Sequence, residues 1–176
     1  MNFIKHFCAI LLIVLLQSCV TEDEPSGAAI KPGDTCPEFD ITLNDGTLVS
    51  TEDLRGHISI IAFFNTSCGD CRAELPELQK VYDYIRVNNP EVKLICISRE
   101  ETAYSIERYW KENSLTLPYS AQPDRNIYNK FATTGIPRVY LVSSQLVITD
   151  VWTDNPMATA NGIINALTNY FPNNSE

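Results

Sequence analysis

The feature that most constrains this chain is a cysteine pair set between a strand signal and a helix signal. Ile58–Phe64 (ISIIAFF) is a nearly continuous apolar run, the pattern of a strand buried on both faces of a sheet. After Asn65-Thr66-Ser67, the segment Cys68-Gly69-Asp70-Cys71 opens a helix expected from about Cys68 to Asn88. Leu75, Leu78, Val81, Tyr82 and Ile85 follow the 3.6-residue period there, and Asn89-Pro90 ends it. At a helix start, unpaired N–H groups and the positive dipole end favour a thiolate over a thiol. Cys68, nearer the exposed start, is the expected nucleophile. Cys71, one turn in and more buried, would resolve the mixed disulfide by attacking it.

A Cys-x-x-Cys also serves as half of a zinc site, which needs further soft ligands. Beyond the N-terminal segment only Cys36, Cys96 and His57 are on offer, and none forms a second pair. No metal and no cofactor is expected. A static structural disulfide is the other alternative, but so short a loop removes little chain entropy and adds little stability. Cys96 lies within an apolar strand and reads as a buried, inert thiol. Cys36, beside Pro37, is less clear, and a Cys36–Cys96 disulfide stays open in an oxidising compartment. His57 reads as a surface loop residue.

Elsewhere, Glu38–Leu43 and Thr47–Ser50 flank Asn44-Asp45-Gly46 as a hairpin. Ser50–Leu54 looks like a capped helical turn ending at Gly56. Val92–Ile97 is the next strand, and Thr102–Asn113 a second helix with Ala103, Ile106, Tyr109 and Trp110 on one side. Asp124 would cap a short helix through Phe131. Pro137–Val142 and Leu146–Trp152 make a second hairpin, and a last helix runs from about Met157 to Tyr170. Strands separated by helices, closed by a hairpin and a helix, imply an α/β fold with a mixed sheet and helices on both faces.

The N-terminus reads as an address. Lys5 precedes Cys8–Leu16, an apolar stretch well short of the roughly 20 residues that span a bilayer as a helix. Leu16-Gln17-Ser18-Cys19 resembles a bacterial lipobox, which implies cleavage before Cys19 and a diacylglycerol on its sulfur. An ordinary signal peptide cleaved nearby, or a retained anchor, is the alternative. The expected organisation is a signal peptide over 1–18, a lipidated Cys19 with an acidic tether over 19–32, and one domain over 33–176. That puts the domain in the cell envelope, facing the periplasm or the exterior. A net charge of −9 and a pI near 4.7 argue against nucleic acid as a partner.

Together these features resemble the TlpA/ResA-type extracytoplasmic thiol-disulfide oxidoreductases of the thioredoxin-like fold. The resemblance spans about residues 33–171 and rests on strand–CGDC–helix, on Pro76 eight residues after Cys68, and on Gly135-Ile136-Pro137 opening a strand. Glu74, in Cys-Arg-Ala-Glu-Leu-Pro, matches the Cys-x-x-Cys-x-x-Glu-x-Pro pattern of ResA-like proteins. The N-terminal hairpin and the extra helix around 102–113 fit as well.

The resemblance implies an enzyme that reduces or exchanges disulfides of extracytoplasmic proteins and is re-reduced by a membrane or envelope thiol reductant. It implies a cis Pro137, holding the Ile136 backbone free for an extended substrate beside Cys68. Glu74 would take or give the Cys71 proton.

The chain also departs from the pattern. Ser67 replaces a tryptophan, and Ala62 replaces the buried aspartate of thioredoxin, which leaves Glu74 as the proton-handling group. Gly69 and Asp70 tune the pair, with Asp70 standing where thioredoxin has proline. Its carboxylate opposes the Cys68 thiolate by an amount comparable with the helix-dipole benefit of about 0.3–1 kcal/mol.

Three competing functions share the fold. A peroxiredoxin-like thiol peroxidase needs Thr or Ser three residues before the reactive cysteine, where this chain has Asn65, with Thr66 one place off. A copper chaperone adds a histidine after the cysteine pair, and none follows His57. A binding lipoprotein would keep an inert disulfide.

Overall fold

The computed structural model describes residues 29–171. The expected signal over 1–18, Cys19 and the first part of the tether lie outside the described residues.

A short hairpin, β1 (Asp40–Thr42) against β2 (Leu48–Ser50), precedes the main sheet. A 3-10 turn at Glu52–Leu54 follows it. Ser50 N–H donates to Asp53 Oδ2 at 2.8 Å while Asp53 N–H returns to Ser50 Oγ at 3.3 Å, the reciprocal cap expected here. Next come β3 (Ser59–Phe64), α1 (Gly69–Asn88), β4 (Lys93–Ser98), α2 (Ala103–Glu112) and β5 (Tyr119–Ser120). A 3-10 turn at Tyr128–Lys130 leads to β6 (Arg138–Val142), β7 (Ile148–Trp152) and α3 (Ala160–Thr168).

The five main strands lie in the order β5-β4-β3-β6-β7. β3 runs parallel to β4 and antiparallel to β6, so the sheet is mixed. β3 is central and every one of its residues is buried, as the apolar run Ile60–Phe64 requires. Its side chains alternate between two cores. Ile60, Ala62 and Phe64 pack with Leu75, Leu78, Val81 and Ile85 of α1, Ile106 and Trp110 of α2, and Ile163 and Leu167 of α3. Ile61 and Phe63 face Phe39, Leu54, Tyr128 and Phe131.

All three α-helices therefore pack into one core. Among the described residues the second face is covered by the 3-10 turns and the N-terminal segment, a reduced form of the helices expected on both faces. The short helix expected over 124–131 is the three-residue turn Tyr128–Lys130, because Asp124 closes a local turn with Asn126 N–H at 2.9 Å instead of capping a longer helix. The last helix begins at Ala160, later than the expected Met157.

β5 had no signal in the sequence. It pairs with β4, and Asn44 of the hairpin covers its outer side. The Asn44 N–H donates to the Tyr119 carbonyl at 2.7 Å, and Asn44 Oδ1 accepts the Tyr119 N–H at 3.0 Å. His57, expected as a surface loop residue, has Nδ1 lying 3.1 Å from the Glu91 carbonyl. Among the described residues, no helix is long and apolar enough to cross a membrane.

Candidate active site

The C-terminal end of β3 delivers the chain into a tight loop before α1. Asn65 builds it: its carbonyl accepts Cys68 N–H at 3.0 Å, and its Oδ1 accepts Ser67 N–H at 2.8 Å and the Ser67 hydroxyl at 2.6 Å. The loop turns the chain so that Cys68 becomes the N-cap of α1, extended at φ −81° and ψ 126°. Its Sγ accepts the Cys71 N–H at 3.4 Å, using one of the amide donors that a helix start leaves unpaired. As a thiol, Cys68 also donates to the Ile136 carbonyl at 3.7 Å. Cys68 as a whole is half-buried, in contrast to the other three cysteines of the domain.

Cys71 is fully buried one turn into the helix. Burial pushes its thiol pKa well up, and the contact with Cys68 and the charge of Glu74 add to the rise. It therefore stays protonated at neutral pH. Glu74, 2% exposed, lies on the same buried face. Burial lifts its carboxyl from the ordinary 4.5 to about 7, partly offset by the Ala158 N–H that donates to Oε1 at 3.1 Å. A carboxyl balanced near neutrality beside a protonated thiol can exchange protons in either direction.

Ile136-Pro137 is cis, and Ile136 packs between the two cores. Among the described residues the Ile136 N–H makes no hydrogen bond, so beside Cys68 it is open to an extended chain. The preceding carbonyls are all taken. Arg125 Nη2 donates to Thr133 O at 2.6 Å, Arg138 Nη2 to Thr134 O at 2.9 Å, and the Tyr128 hydroxyl to Gly135 O at 2.5 Å. Gly135 sits at φ +79°, a left-handed position suited to glycine.

Gly69 and Asp70 are exposed on the first turn, beside Cys68. A Cβ at Gly69 would meet nothing within 4 Å, so this glycine leaves an open approach. The Asn65 amide, three before Cys68, is committed to the Arg99 carbonyl at 2.8 Å. The Thr66 hydroxyl is committed to Glu101. Neither is free to position a peroxide. Glu101 itself escaped sequence reasoning, since a single acid after a strand carries no periodic or motif signal.

Cys36 and Cys96 are buried in different cores, on opposite faces of the sheet, and both are free thiols. The disulfide left open between them would have to pass through β3 and β4. Among the described residues no group of three or more His, Cys, Asp and Glu is placed to hold a metal ion. A hollow of about 640 Å³ lies at the far end of α1, lined by Leu48, Tyr82, Arg86, Lys93 and Pro118 among others.

The geometry agrees with three comparisons. The AhpC/TSA family profile matches residues 32–151. The thiol-disulfide oxidoreductase ResA of Bacillus subtilis is 20% identical over 144 residues, covering 81% of this chain and 79% of that protein. A solved protein from Bacteroides thetaiotaomicron, assigned as a protein disulfide isomerase, superposes with a TM-score of 0.71 at 27% identity, over 82% of this chain and 90% of its own. The thioredoxin domain of a Bacteroides vulgatus thiol-disulfide oxidoreductase shares the fold at a TM-score of 0.68 and 18% identity, over 81% of this chain and 99% of its own. The chain belongs to the AhpC/TSA family, and the curated proteins it resembles are ResA thiol-disulfide oxidoreductases.

Proposed function

We propose that this protein is a thiol-disulfide oxidoreductase that reduces or exchanges disulfides of extracytoplasmic proteins through a Cys68/Cys71 cycle. One observation carries the reading: Cys68 Sγ lies at the α1 N-cap, between the Cys71 N–H and the Ile136 carbonyl of the cis-proline loop. In the first step the Cys68 thiolate attacks one sulfur of the substrate disulfide. A Cys68–substrate bond forms, the substrate S–S bond breaks, and one substrate thiolate leaves. In the second step Cys71 passes its proton to the Glu74 carboxylate and attacks Cys68 Sγ. The Cys68–Cys71 disulfide forms, and the second substrate thiolate departs with the proton that Glu74 received, which restores the carboxylate. Two electrons pass to the substrate, and an upstream envelope thiol donor must restore the dithiol.

The lipobox-like Leu16-Gln17-Ser18-Cys19 supports tethering of the domain (33–176) to a membrane through a lipid on Cys19, with residues 19–32 as spacer. An extended substrate would pair with Ile136 beside Pro137, while Gly69 and Asp70 would set the poise of the dithiol. The reduced protein should cleave a disulfide-bonded peptide stoichiometrically, and Cys68→Ser should abolish this. Turnover by the Cys68→Ser protein would refute the assignment.

A further inference from the structure

Both active-site loops lead back to one short turn. Arg99-Glu100-Glu101 leaves the C-terminal end of β4 and reaches the loop before Cys68 on one side and the loop before Pro137 on the other. Glu101 is 8% exposed, and its carboxylate takes two hydrogen bonds from a single residue. Thr66 N–H donates to Oε2 at 2.7 Å, and the Thr66 hydroxyl donates to Oε1. Toward the other loop, Glu100 Oε2 meets Arg125 Nη1 at 3.3 Å, and Arg125 holds the Thr133 carbonyl. Arg99 and Arg125 lie over the Tyr128 ring at 5.0 and 5.2 Å, and Tyr128 holds the Gly135 carbonyl.

The turn itself is held against its preference. Glu100 sits at φ +57°, a left-handed conformation uncommon for a residue with a side chain. Such a conformation persists where the surroundings over-determine it, and that is a reason to look for function. Here Glu100 N–H donates to Asp124 O at 3.1 Å and Glu101 N–H to Gln122 O at 3.0 Å. The two carboxylates are thereby sent to different loops.

A buried carboxylate costs stability unless its oxygens are hydrogen-bonded. Its planar pair of acceptors matches the N–H and O–H of Thr66, fixing the backbone and the side chain of that residue together. Thr66 is two residues before the nucleophile.

We propose that Glu101 is a positioning residue for disulfide exchange: through Thr66 it sets where Cys68 Sγ lies relative to the Ile136 backbone. An extended substrate then meets the sulfur and the peptide group at once. The inference rests on the exchange reading above and adds to it a residue that touches no substrate.

The test compares the reduced wild-type protein with Glu101→Ala, Glu101→Gln and Thr66→Val on two substrates. One is a disulfide-bonded peptide long enough to lie along the cis-proline loop. The other is a small symmetric aromatic disulfide that needs only Cys68. Because a hydroxyl accepts as well as donates, glutamine can keep both contacts to Thr66. Glu101→Ala should lower kcat/KM for the peptide about tenfold, and Thr66→Val, which loses one contact, about threefold. The small disulfide should slow by less than about twofold in each, and Glu101→Gln should stay within about twofold of wild type on both. Equal losses on the two substrates, or a Glu101→Gln protein as slow as Glu101→Ala, would overturn the proposal. So would a Thr66→Val protein as fast as wild type, even where Glu101→Ala does not fold. A wild-type protein inactive on both substrates overturns the exchange reading, and this proposal with it.

Discussion

Glu74 Oε1 accepts the backbone N–H of Ala158 at 3.1 Å, joining the cysteine-bearing helix to the segment before α3 across 84 residues of chain. That single donor does not compensate burial, and the carboxyl rises to about 7. A folded pKa above the unfolded 4.5 means the fold favours the protonated acid. Its contribution to stability is fully present below about 4.5 and is lost as pH rises through about 7. Glu74→Gln cannot ionise, so it should gain on wild type by up to about 3 kcal/mol between pH 5 and pH 8. Urea unfolding at the two pH values checks this. A stability difference that does not change with pH would contradict it.

The same substitution should harm the chemistry. Cys71 is buried and protonated, so it needs a base to become the resolving thiolate. Glu74→Gln should slow decay of a Cys68 mixed disulfide by at least about tenfold. In wild type the decay rate should rise with pH through about 7, and the variant should lose that rise. Stopped-flow measurement of thiol release from a preformed mixed disulfide gives both numbers. Equal rates in the two proteins would remove Glu74 from the mechanism.

Asp70 is exposed on the first turn of α1, where its carboxylate would oppose negative charge on the neighbouring sulfur. Asp70→Asn should speed alkylation of Cys68 at neutral pH by about two- to fivefold, and make the Cys68–Cys71 disulfide easier to reduce. Slower alkylation would show that the carboxylate acts in some other way.

Cys36 and Cys96 should remain thiols after air or diamide oxidation. They lie in separate cores, and burial pushes the Cys36 thiol up to about 12 and raises that of Cys96 as well. Labelling followed by peptide mass spectrometry should find both modified only after unfolding. Recovery of a Cys36–Cys96 peptide would mean that the sheet lies otherwise than described.

The parts legible in the sequence were those set by local pattern. An apolar run long enough to fill a central strand, then Cys-x-x-Cys, then a 3.6-residue period, could arrange themselves in few ways, and Gly135-Ile136-Pro137 is a short local signal. What stayed hidden was set by distant partners. β5 is two residues long and exists because β4 and Asn44 flank it. α3 starts late because Thr159 before it is extended at φ −116° and ψ 154°, in a segment tied to α1: Ala158 N–H donates to Glu74, and Ala160 N–H, the first of the helix, to Glu77 at 2.9 Å. Thr159 then caps the helix by accepting Gly162 N–H at 3.1 Å. The separation of Cys36 from Cys96 follows from which way Cys96 faces in register with Ala62. Glu101 became visible only when the fold brought β4 beside Thr66.

In the proposed cycle Cys68 attacks substrate disulfides and Cys71 releases them. Removing the resolving thiol should therefore freeze the intermediate. The full-length Cys71→Ser protein, reduced and mixed with a disulfide-bonded peptide, should accumulate one peptide equivalent on Cys68, as a reducible adduct in intact-protein mass spectrometry. A Cys71→Ser protein whose Cys68 still alkylates readily but holds no peptide would contradict the account.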